Sequence, residues 1–241
     1  MIDANSTTEN FTRRALWAQI DLDAAAHNMR VIRRHVGPDV RIASVVKANA
    51  YGHGAVELSR VFAENGADCF AVSSLDEGVE LRRYAGITKD IFILGHTDGR
   101  RTEELLAYHI EPAVFNLKNA EYYSEEASRL GQTLQVHIAI DSGMSRVGFL
   151  PNEETIEAIK KIASLPRIEI RGIFTHFATA DEKDKTFTHE QFKRFMWVCT
   201  RLENEGVHIP IRHCCNSAAT LEMPAYHLDM VRPGIIQYGC E

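Results

Sequence analysis

The sequence predicts an α/β fold of the (β/α)8 TIM-barrel class. Short apolar runs rich in β-branched residues alternate along the chain with stretches of helical periodicity, which is the pattern of βα units around a parallel sheet. There are eight such runs, and eight parallel strands close a barrel. The runs are 42–46, 69–72, 91–94, 110–115, 134–140, 168–174, 211–215 and 230–236.

Helical stretches fill most of the gaps between these runs. One begins at Ser74, which forms a capping box with Glu77, and it stops near Gly86. A strand-like apolar run at 18–22 and a first helix near 24–35 precede the eight strands as an extra element. The other helices end close to a glycine or proline, as helix C-termini commonly do, and are predicted over 55–65, 117–130, 153–164 and 188–205.

The composition predicts a soluble domain that handles small molecules. The 241 residues are 45% hydrophobic and 25% charged, and their net charge of -6 gives no basic surface for nucleic acid or an anionic membrane. The first residues lack the basic start and apolar core of a signal peptide, so we expect a cytoplasmic protein. We expect a disordered leader at 1–12 and one barrel domain over 13–241.

The cysteine and histidine patterns predict reduced thiols and no metal site. The five cysteines are odd in number and include no Cys-x-x-Cys pair, so we expect each to pack as a small hydrophobe. His189 and Glu190 begin like a zinc-protease helix. Lys193 stands where that motif places its second histidine ligand.

The residues that follow the predicted strands are polar and cationic. Because the catalytic side chains of a barrel gather at the carboxyl ends of its strands, these residues should share one mouth and favour an anionic ligand. Lys47 directly follows an apolar strand, where desolvation lowers the pKa of an amine and makes it a nucleophile for a Schiff base. From position alone, a solvated surface lysine is the alternative.

Five segments of the chain resemble the motifs of the alanine racemase family. The segment 45–54, Val-Val-Lys-Ala-Asn-Ala-Tyr-Gly-His-Gly, is similar nearly residue for residue to that family's cofactor-lysine motif. The other four segments follow in the family's order, and together the five span essentially the whole chain. They are 141–148, 175–182, 215–219 and 230–235.

This resemblance implies a site for pyridoxal 5'-phosphate. It implies that Lys47 holds the cofactor through a Schiff base and acts as one acid–base group at the substrate α-carbon. It also implies a phosphate cradle in which a glycine allows close approach and backbone amides face the negative charge. The residues that it assigns to this cradle are Tyr51, Asn216, Ser217, Gly234 and Ile235.

The resemblance assigns three further side chains to the cofactor ring and the substrate. His176 packs against the pyridine ring, and Arg232 keeps the ring nitrogen unprotonated, which discourages side reactions such as transamination. Arg146 contacts the cofactor hydroxyl and the substrate carboxylate, for which its planar fork is suited. From position alone, His176 and Asn216 can instead satisfy buried backbone groups, and the arginines can be rim charges.

The chain departs from the family in two respects. Ala139 stands where many members carry a modified lysine that supports the arginine, so we expect another anion, such as chloride, near Arg146. The family also continues into a β-rich domain, which supplies a second catalytic tyrosine across a homodimer interface. We therefore expect a truncated chain that binds the cofactor weakly or not at all and has negligible racemase activity. Its run at 18–22 would ordinarily pair with the missing domain.

The predicted function is a racemase that interconverts L- and D-alanine for cell-wall precursor supply. The second choice of substrate is serine, which would make the protein a serine racemase of the same family. A non-catalytic pyridoxal-phosphate-binding barrel is the main rival, favoured by length but not by the motifs. The barrel of a basic amino-acid decarboxylase shares fold and cofactor, but it pairs an acidic residue with the ring nitrogen where this chain has Arg232.

Overall fold

The computed structural model describes residues 17–240, so the predicted leader at 1–12 lies outside the described residues. Nine strand segments are described: β1 Arg41–Val45, β2 Cys69–Val72, β3 Asp90–Ile93, β4 Ile110–Glu111, β5 Ala113–Val114, β6 Leu134–Ala139, β7 Ile168–Phe174, β8 Ile211–His213 and β9 Met230–Val231. They run parallel to their neighbours, in the orders β4-β3-β2-β1-β9 and β5-β6-β7-β8.

These nine segments make the eight strands of the predicted barrel. Pro112 separates β4 from β5, because a proline has no N–H group for the strand ladder, and the two segments together are the fourth predicted run. β9 pairs with β1, and Asp229 N–H donates to the Arg212 carbonyl (3.1 Å) between β8 and β9. The ring of strands is therefore closed, and the (β/α)8 prediction is confirmed.

Apart from the short left-handed segment Lys47–Tyr51, eight α-helices are described. Every predicted helix is among them, and its bounds lie within two residues of the prediction when the π-helical turn after Glu80 is included. Two short helices, Thr102–Tyr108 and Ser217–Glu222, were not predicted. The helices are α1 Leu22–Val36, α2 Ala55–Asn65, α3 Leu75–Glu80, α4 Thr102–Tyr108, α5 Leu117–Arg129, α6 Glu153–Ser164, α7 Thr186–Asn204 and α8 Ser217–Glu222. α3 continues as a π-helical turn over Leu81–Ala85, and 3-10 turns lie at Gly99–Arg101, Pro224–Tyr226 and Ile235–Tyr238.

Three local predictions were wrong. The run at 18–22 forms no strand in the described chain: residues 17–21 have no regular structure, and Leu22 begins α1, whose N-cap Asp21 accepts a hydrogen bond from Ala24 N–H (3.0 Å). The last run stops as a strand at Val231, since Pro233 cannot continue the ladder. Cys240 is exposed at the end of the described chain, whereas the other four cysteines are buried and free as predicted.

The strands alternate between two buried faces. Ile42 and Ser44 of β1 face outward to the helices, while Ala43 and Val45 face the barrel interior together with Phe92 and other small or aromatic residues. The interior of the barrel is thus a packed core, and the mouth at the carboxyl ends of the strands carries the loops. Between Trp17 and Cys240, no helix is long and apolar enough to cross a membrane, and no cluster of three His, Cys, Asp or Glu side chains is suited to a metal ion.

Candidate active site

A cavity of about 250 Å³ opens at the carboxyl ends of β1, β2, β3, β6 and β7. It contains three of the predicted site residues, Lys47, Arg146 and His176. A larger cavity of about 760 Å³ lies at the amino ends of the strands and contains none of them. The remaining lining residues of the mouth cavity are Ser73, Leu94, Gly95, Ile140, Met144, Val147 and Phe174.

Lys47 lies two residues beyond the end of β1 and is half-buried. Burial lowers the pKa of its amine, the nearby Arg146 and Arg232 cations lower it further, and Glu77 acts in the opposite direction. Its Nζ atom lies 5.9 Å from the ring centroid of Tyr51. Because the neutral amine is the nucleophilic form, this environment activates Lys47 for bond formation with a carbonyl carbon.

The chain after Lys47 makes a left-handed turn. Ala48, Asn49, Ala50 and Tyr51 all have φ between 52° and 55°, a conformation that costs about 1–2 kcal/mol for each non-glycine residue. One carboxylate and one carboxamide offset part of this cost by accepting hydrogen bonds from backbone N–H groups. Glu77 Oε1 accepts from Ala48 N–H (2.8 Å), and Asn49 Oδ1 accepts from Ala55 N–H (2.8 Å). The turn brings the Tyr51 side chain back toward the mouth.

Glu77 therefore differs in role from the reciprocal cap predicted for it. Ser74 Oγ accepts from Glu77 N–H (3.4 Å), as predicted for the N-cap residue. The Glu77 carboxylate does not return to Ser74 N–H, however, and accepts instead from Ser73 N–H (2.7 Å) and Ser73 Oγ–H (2.8 Å). Since its other oxygen binds Ala48 N–H, Glu77 ties the start of α3 to the turn that follows Lys47.

Tyr51, Ser217 and Gly234 converge on one side of the mouth. A Cβ atom at Gly234 would lie 2.7 Å from the Tyr51 hydroxyl, so only glycine leaves room for this approach. Gly234 N–H donates to Ser217 Oγ (2.9 Å), which leaves the Ser217 hydroxyl proton free to bind an anion. Burial raises the pKa of the Tyr51 phenol and keeps it protonated as a donor. Ile235 is exposed and directly follows Gly234.

Asn216 caps a helix at this edge of the site. Its Oδ1 atom accepts from Ala219 N–H (3.1 Å) at the start of α8, and its Nδ2 atom lies 3.5 Å from the Phe177 carbonyl oxygen. These contacts are the alternative that sequence position allowed for this residue, in which the amide satisfies backbone groups. Asn216 thus adjoins Ser217 at the site, and its side chain makes hydrogen bonds to backbone groups.

Arg232 is buried, with 3% of its surface exposed, so the alternative of a rim charge is wrong for this residue. Its guanidinium donates to the Thr175 carbonyl (2.7 Å) and to His213 Nδ1 (3.0 Å). Burial lowers its pKa to about 10, which leaves it charged at neutral pH. The guanidinium also lies over the Phe174 ring, 5.6 Å from the centroid.

His176 lies beside Arg232 as a neutral imidazole. Its Nδ1 atom is 3.5 Å from Arg232 Nη2. Burial lowers the pKa of His176 to about 3, and the Arg232, Arg146 and Lys47 cations act in the same direction. At neutral pH the ring is thus an apolar surface with one N–H group, which suits packing against a flat ligand.

Arg146 is exposed at the rim of the mouth on a loop organised by Asp141. The Asp141 carboxylate accepts from the backbone N–H groups of Gly143 (3.0 Å), Ser145 (2.9 Å) and Arg146 (2.9 Å). The Arg146 guanidinium forms no ion pair with any residue from 17 to 240. Ala139 is buried in an apolar cluster of the barrel interior and offers no support to this cation.

The mouth therefore combines an activated amine, two arginines and a set of hydroxyl donors. Cations outnumber anions among these side chains, and mutual repulsion contributes to the lowered pKa values of Lys47, His176 and Arg232. A phosphorylated aldehyde of flat aromatic shape matches each part of this set. The residues present accordingly fit pyridoxal phosphate. Sequence reasoning did not identify the bracing contacts of Glu77 or the His213 partner of Arg232, because neither belongs to a recognisable motif.

Comparison with known proteins agrees with this geometry. Residues 20–241 match a family model described as "Alanine racemase, N-terminal domain". Curated relatives include an alanine racemase of Clostridium tetani, 49% identical over 226 residues, and one of Clostridium perfringens, 50% identical over 226 residues. Each alignment covers 94% of this chain but only 58% of the relative.

Solved structures show the same relation. An alanine racemase from Clostridium difficile 630 superposes with a TM-score of 0.91 at 42% identity, covering 93% of this chain and 59% of that chain. An alanine racemase from Bacillus anthracis with bound L-Ala-P superposes with a TM-score of 0.85 at 35% identity, covering 94% of this chain and 60% of that one. The chain thus spans about three fifths of the length of these relatives.

Proposed function

The chain belongs to the alanine racemase N-terminal domain family, and on that premise we propose that it is the pyridoxal-phosphate-binding part of an enzyme that interconverts L- and D-alanine. The observation that carries this proposal is the convergence of Lys47, Arg232 and the Tyr51–Ser217–Gly234 group on one barrel mouth. The identity of about half the residues with named alanine racemases supports alanine as the substrate.

Lys47 would hold the cofactor through its amine. The Tyr51 and Ser217 hydroxyls would bind the phosphate, with Gly234 leaving room for it and the backbone of Ile235 and the neighbouring Asn216 bordering it. His176 would pack against the ring as a neutral imidazole. When bound, pyridoxal phosphate supplies the electron withdrawal that acidifies the hydrogen on the substrate α-carbon.

Arg232 would face the nitrogen of the pyridine ring. A guanidinium has donors only, so it donates to an unprotonated nitrogen and holds it in that state. This choice restrains the electron withdrawal by the ring and favours return of the proton to the α-carbon, which is what a racemase requires. A basic amino-acid decarboxylase places an acidic residue here, and the buried Arg232 disfavours that alternative.

The proton at the α-carbon would be taken or returned by Lys47 on one face. The lowered pKa of its amine increases the neutral fraction that can accept a proton. Arg146 would bind the substrate carboxylate at the rim, with an anion such as chloride supporting it in place of the family's modified lysine. Racemisation needs a second base on the opposite face, and His176, with its pKa of about 3, is unsuited to that task.

We assign the second base to the part of the relatives' length that this chain does not span, and the complete enzyme to a homodimer that supplies D-alanine for peptidoglycan. Length and the two-base requirement support this assignment. The proposal predicts weak cofactor binding and negligible turnover by the 241-residue chain. Robust racemisation by this chain would contradict it.

The test of the central assignment is chemical trapping. Pyridoxal phosphate is added in excess to the wild-type chain, to Lys47→Ala and to the surface control Lys118→Ala, and the bond is reduced with borohydride. We expect a cofactor absorption band and a peptide adduct at Lys47 in the wild type and the control, and neither in Lys47→Ala. A band of equal strength in Lys47→Ala would overturn the proposal.

A further inference from the structure

A buried chain of hydrogen bonds runs through the barrel interior, and Arg232 is its end nearest the mouth. Its Nη1 atom lies 3.0 Å from His213 Nδ1. The Nε2 atom of His213 lies 3.1 Å from His137 Nδ1. The Nε2 atom of His137 lies 2.7 Å from Glu111 Oε2. The chain thus links four residues on or next to β9, β8, β6 and β4, and ends at the larger cavity at the amino ends of the strands.

The direction of every bond in this chain is fixed by its two ends. A guanidinium only donates, so His213 Nδ1 must accept and the single proton of this neutral ring must sit on Nε2. That proton is donated to His137 Nδ1, so His137 carries its own proton on Nε2 and donates it to Glu111. Burial holds the pKa of His213 well below its ordinary value, in agreement with a neutral ring. His137 is neutral as well, because its Nδ1 atom accepts a hydrogen bond and so carries no proton.

The surroundings are shaped to hold both imidazoles in place. The His137 ring stacks on Phe92 with centroids 4.7 Å apart, and the His213 ring stacks on Phe174 at 5.2 Å. Gly172 is required beside His137, because a Cβ atom there would overlap its Nδ1 atom and lie 2.7 Å from its Cε1 atom. The β6–β7 register also shifts between Val136 and His137, which provides this space.

The charges at the two ends of the chain have no other ion-pair partner among residues 17 to 240. Arg232 bonds only to carbonyls and imidazoles, and the exposed fractions of Glu111, His137 and His213 are 7%, 2% and 0%. Arg41 and Arg171, near Glu111, both lie beside Asp90, at 2.8 and 3.8 Å. Arg82 is a further cation near Glu111, and it donates hydrogen bonds to backbone carbonyls. A buried charge without compensation is costly, and the hydrogen-bonded imidazoles are the direct contact that joins the Glu111 carboxylate to the Arg232 guanidinium.

We propose that Glu111 is the remote counter-ion and positioning residue of Arg232, acting through His137 and His213. Its carboxylate polarises the two imidazoles, so that His213 Nδ1 is a strong acceptor that fixes the orientation of the guanidinium. Whether this orientation serves the cofactor ring rests on the proposed function. The hydrogen-bond chain itself is independent of it, and no proton is transferred along it.

The first test measures the protonation of the two imidazoles in the hydrogen-bond chain, without added cofactor. Side-chain ¹⁵N NMR of histidine-labelled wild type should show His137 and His213 neutral with protons on Nε2, and a strongly deshielded His137 Nε2 proton. Glu111→Gln keeps an acceptor oxygen but removes the charge, so this proton should move upfield and the His213 signals should shift with it. Glu169→Gln, an exposed carboxylate at the same end of the barrel, should move neither.

An imidazolium or an Nδ1-protonated ring at His137 in the wild type, or His213 signals that stay fixed in Glu111→Gln, would overturn the proposal. Should Glu111→Gln fail to fold, Glu111→Asp keeps the charge but shortens its reach, and the same upfield movement of the His137 proton is expected.

The second test measures binding of pyridoxal phosphate by absorbance titration. We expect its dissociation constant to rise about 3- to 30-fold in Glu111→Gln and to stay unchanged in Glu169→Gln, a range typical of residues that act through others. An unchanged constant in Glu111→Gln, with the NMR shifts as expected, would overturn the positioning role. Absence of a Lys47-dependent band in the wild type would overturn the proposed function. The NMR result would then still confirm or overturn the hydrogen-bond chain from Glu111 to Arg232.

Discussion

Gly234 and the Tyr51 hydroxyl approach each other so closely that a Cβ atom at Gly234 would lie 2.7 Å from that hydroxyl oxygen. We therefore predict that Gly234→Ala displaces Tyr51 and weakens pyridoxal-phosphate binding about tenfold or more, equivalent to about 1.4 kcal/mol. Tyr51→Phe in the same background removes the clashing oxygen, so the two changes should be non-additive.

The measurement is a double-mutant cycle on the dissociation constant and the melting temperature. Ile235→Ala serves as the control, since only the backbone of that residue is assigned to the site. Additive losses in the cycle would show that Gly234 does not act through Tyr51.

The second prediction concerns the amine of Lys47, whose pKa is lowered by burial and then by Arg146 and Arg232. Removing the Arg146 charge in Arg146→Gln should raise that pKa, because a like charge no longer opposes protonation. The pH midpoint of borohydride trapping at Lys47 should then move to higher pH. Arg129→Gln, a change on the exposed face of α5, should leave the midpoint where it is, and an unmoved midpoint in Arg146→Gln would count against the coupling.

The third prediction concerns the brace between Glu77 and Ala48. Glu77→Gln replaces a carboxylate oxygen that accepts from Ala48 N–H or Ser73 N–H with an amide donor, so one of these bonds is lost. We expect a loss of about 1–3 kcal/mol in the free energy of unfolding, measured in urea, as for hydrogen bonds to charged groups. The pH midpoint of trapping at Lys47 should also move to lower pH, because the Glu77 carboxylate raises the pKa of that amine. Glu80→Gln on the same helix is the control, and equal losses in the two variants would contradict the brace.

The fourth prediction concerns the protonation of His176. Its pKa of about 3 lies below the unfolded value of 6.5, so between these pH values the unfolded chain binds a proton that the folded chain does not. Stability should fall as the pH falls through this window, and the fall should be smaller in His176→Asn. Histidine NMR should show no titration of His176 above pH 4. A midpoint near 6.5 would disprove the neutral ring assigned to the site.

Local pattern was sufficient for most of the framework. Apolar runs and helix end signals gave the eight strands and the main helices, because strand and helix periodicities are read within a few residues. Local pattern failed where contacts with distant parts of the chain determine the structure. The run at 18–22 has no strand partner in the described chain, and Cys240 lies where nothing covers it, and neither condition is visible in the local sequence.

The site divides in the same way. Lys47 and the segment around it were recognised from consecutive residues, and the hydroxyl and arginine positions followed from strand ends that a barrel gathers at one mouth. The structure placed Arg232 in the interior rather than at the rim, and gave the Asn216 amide a helix cap.

The sequence by itself determined the barrel, its mouth and the lysine that stands there, because these depend on residues close together in the chain. Only the tertiary structure joined Glu77 to Ala48, 29 positions apart, and Glu111 to His137, His213 and Arg232. The physical reason is that a buried polar group must find its partner among the side chains that barrel closure brings to the same depth. That depth is set by strand register, which no local pattern specifies.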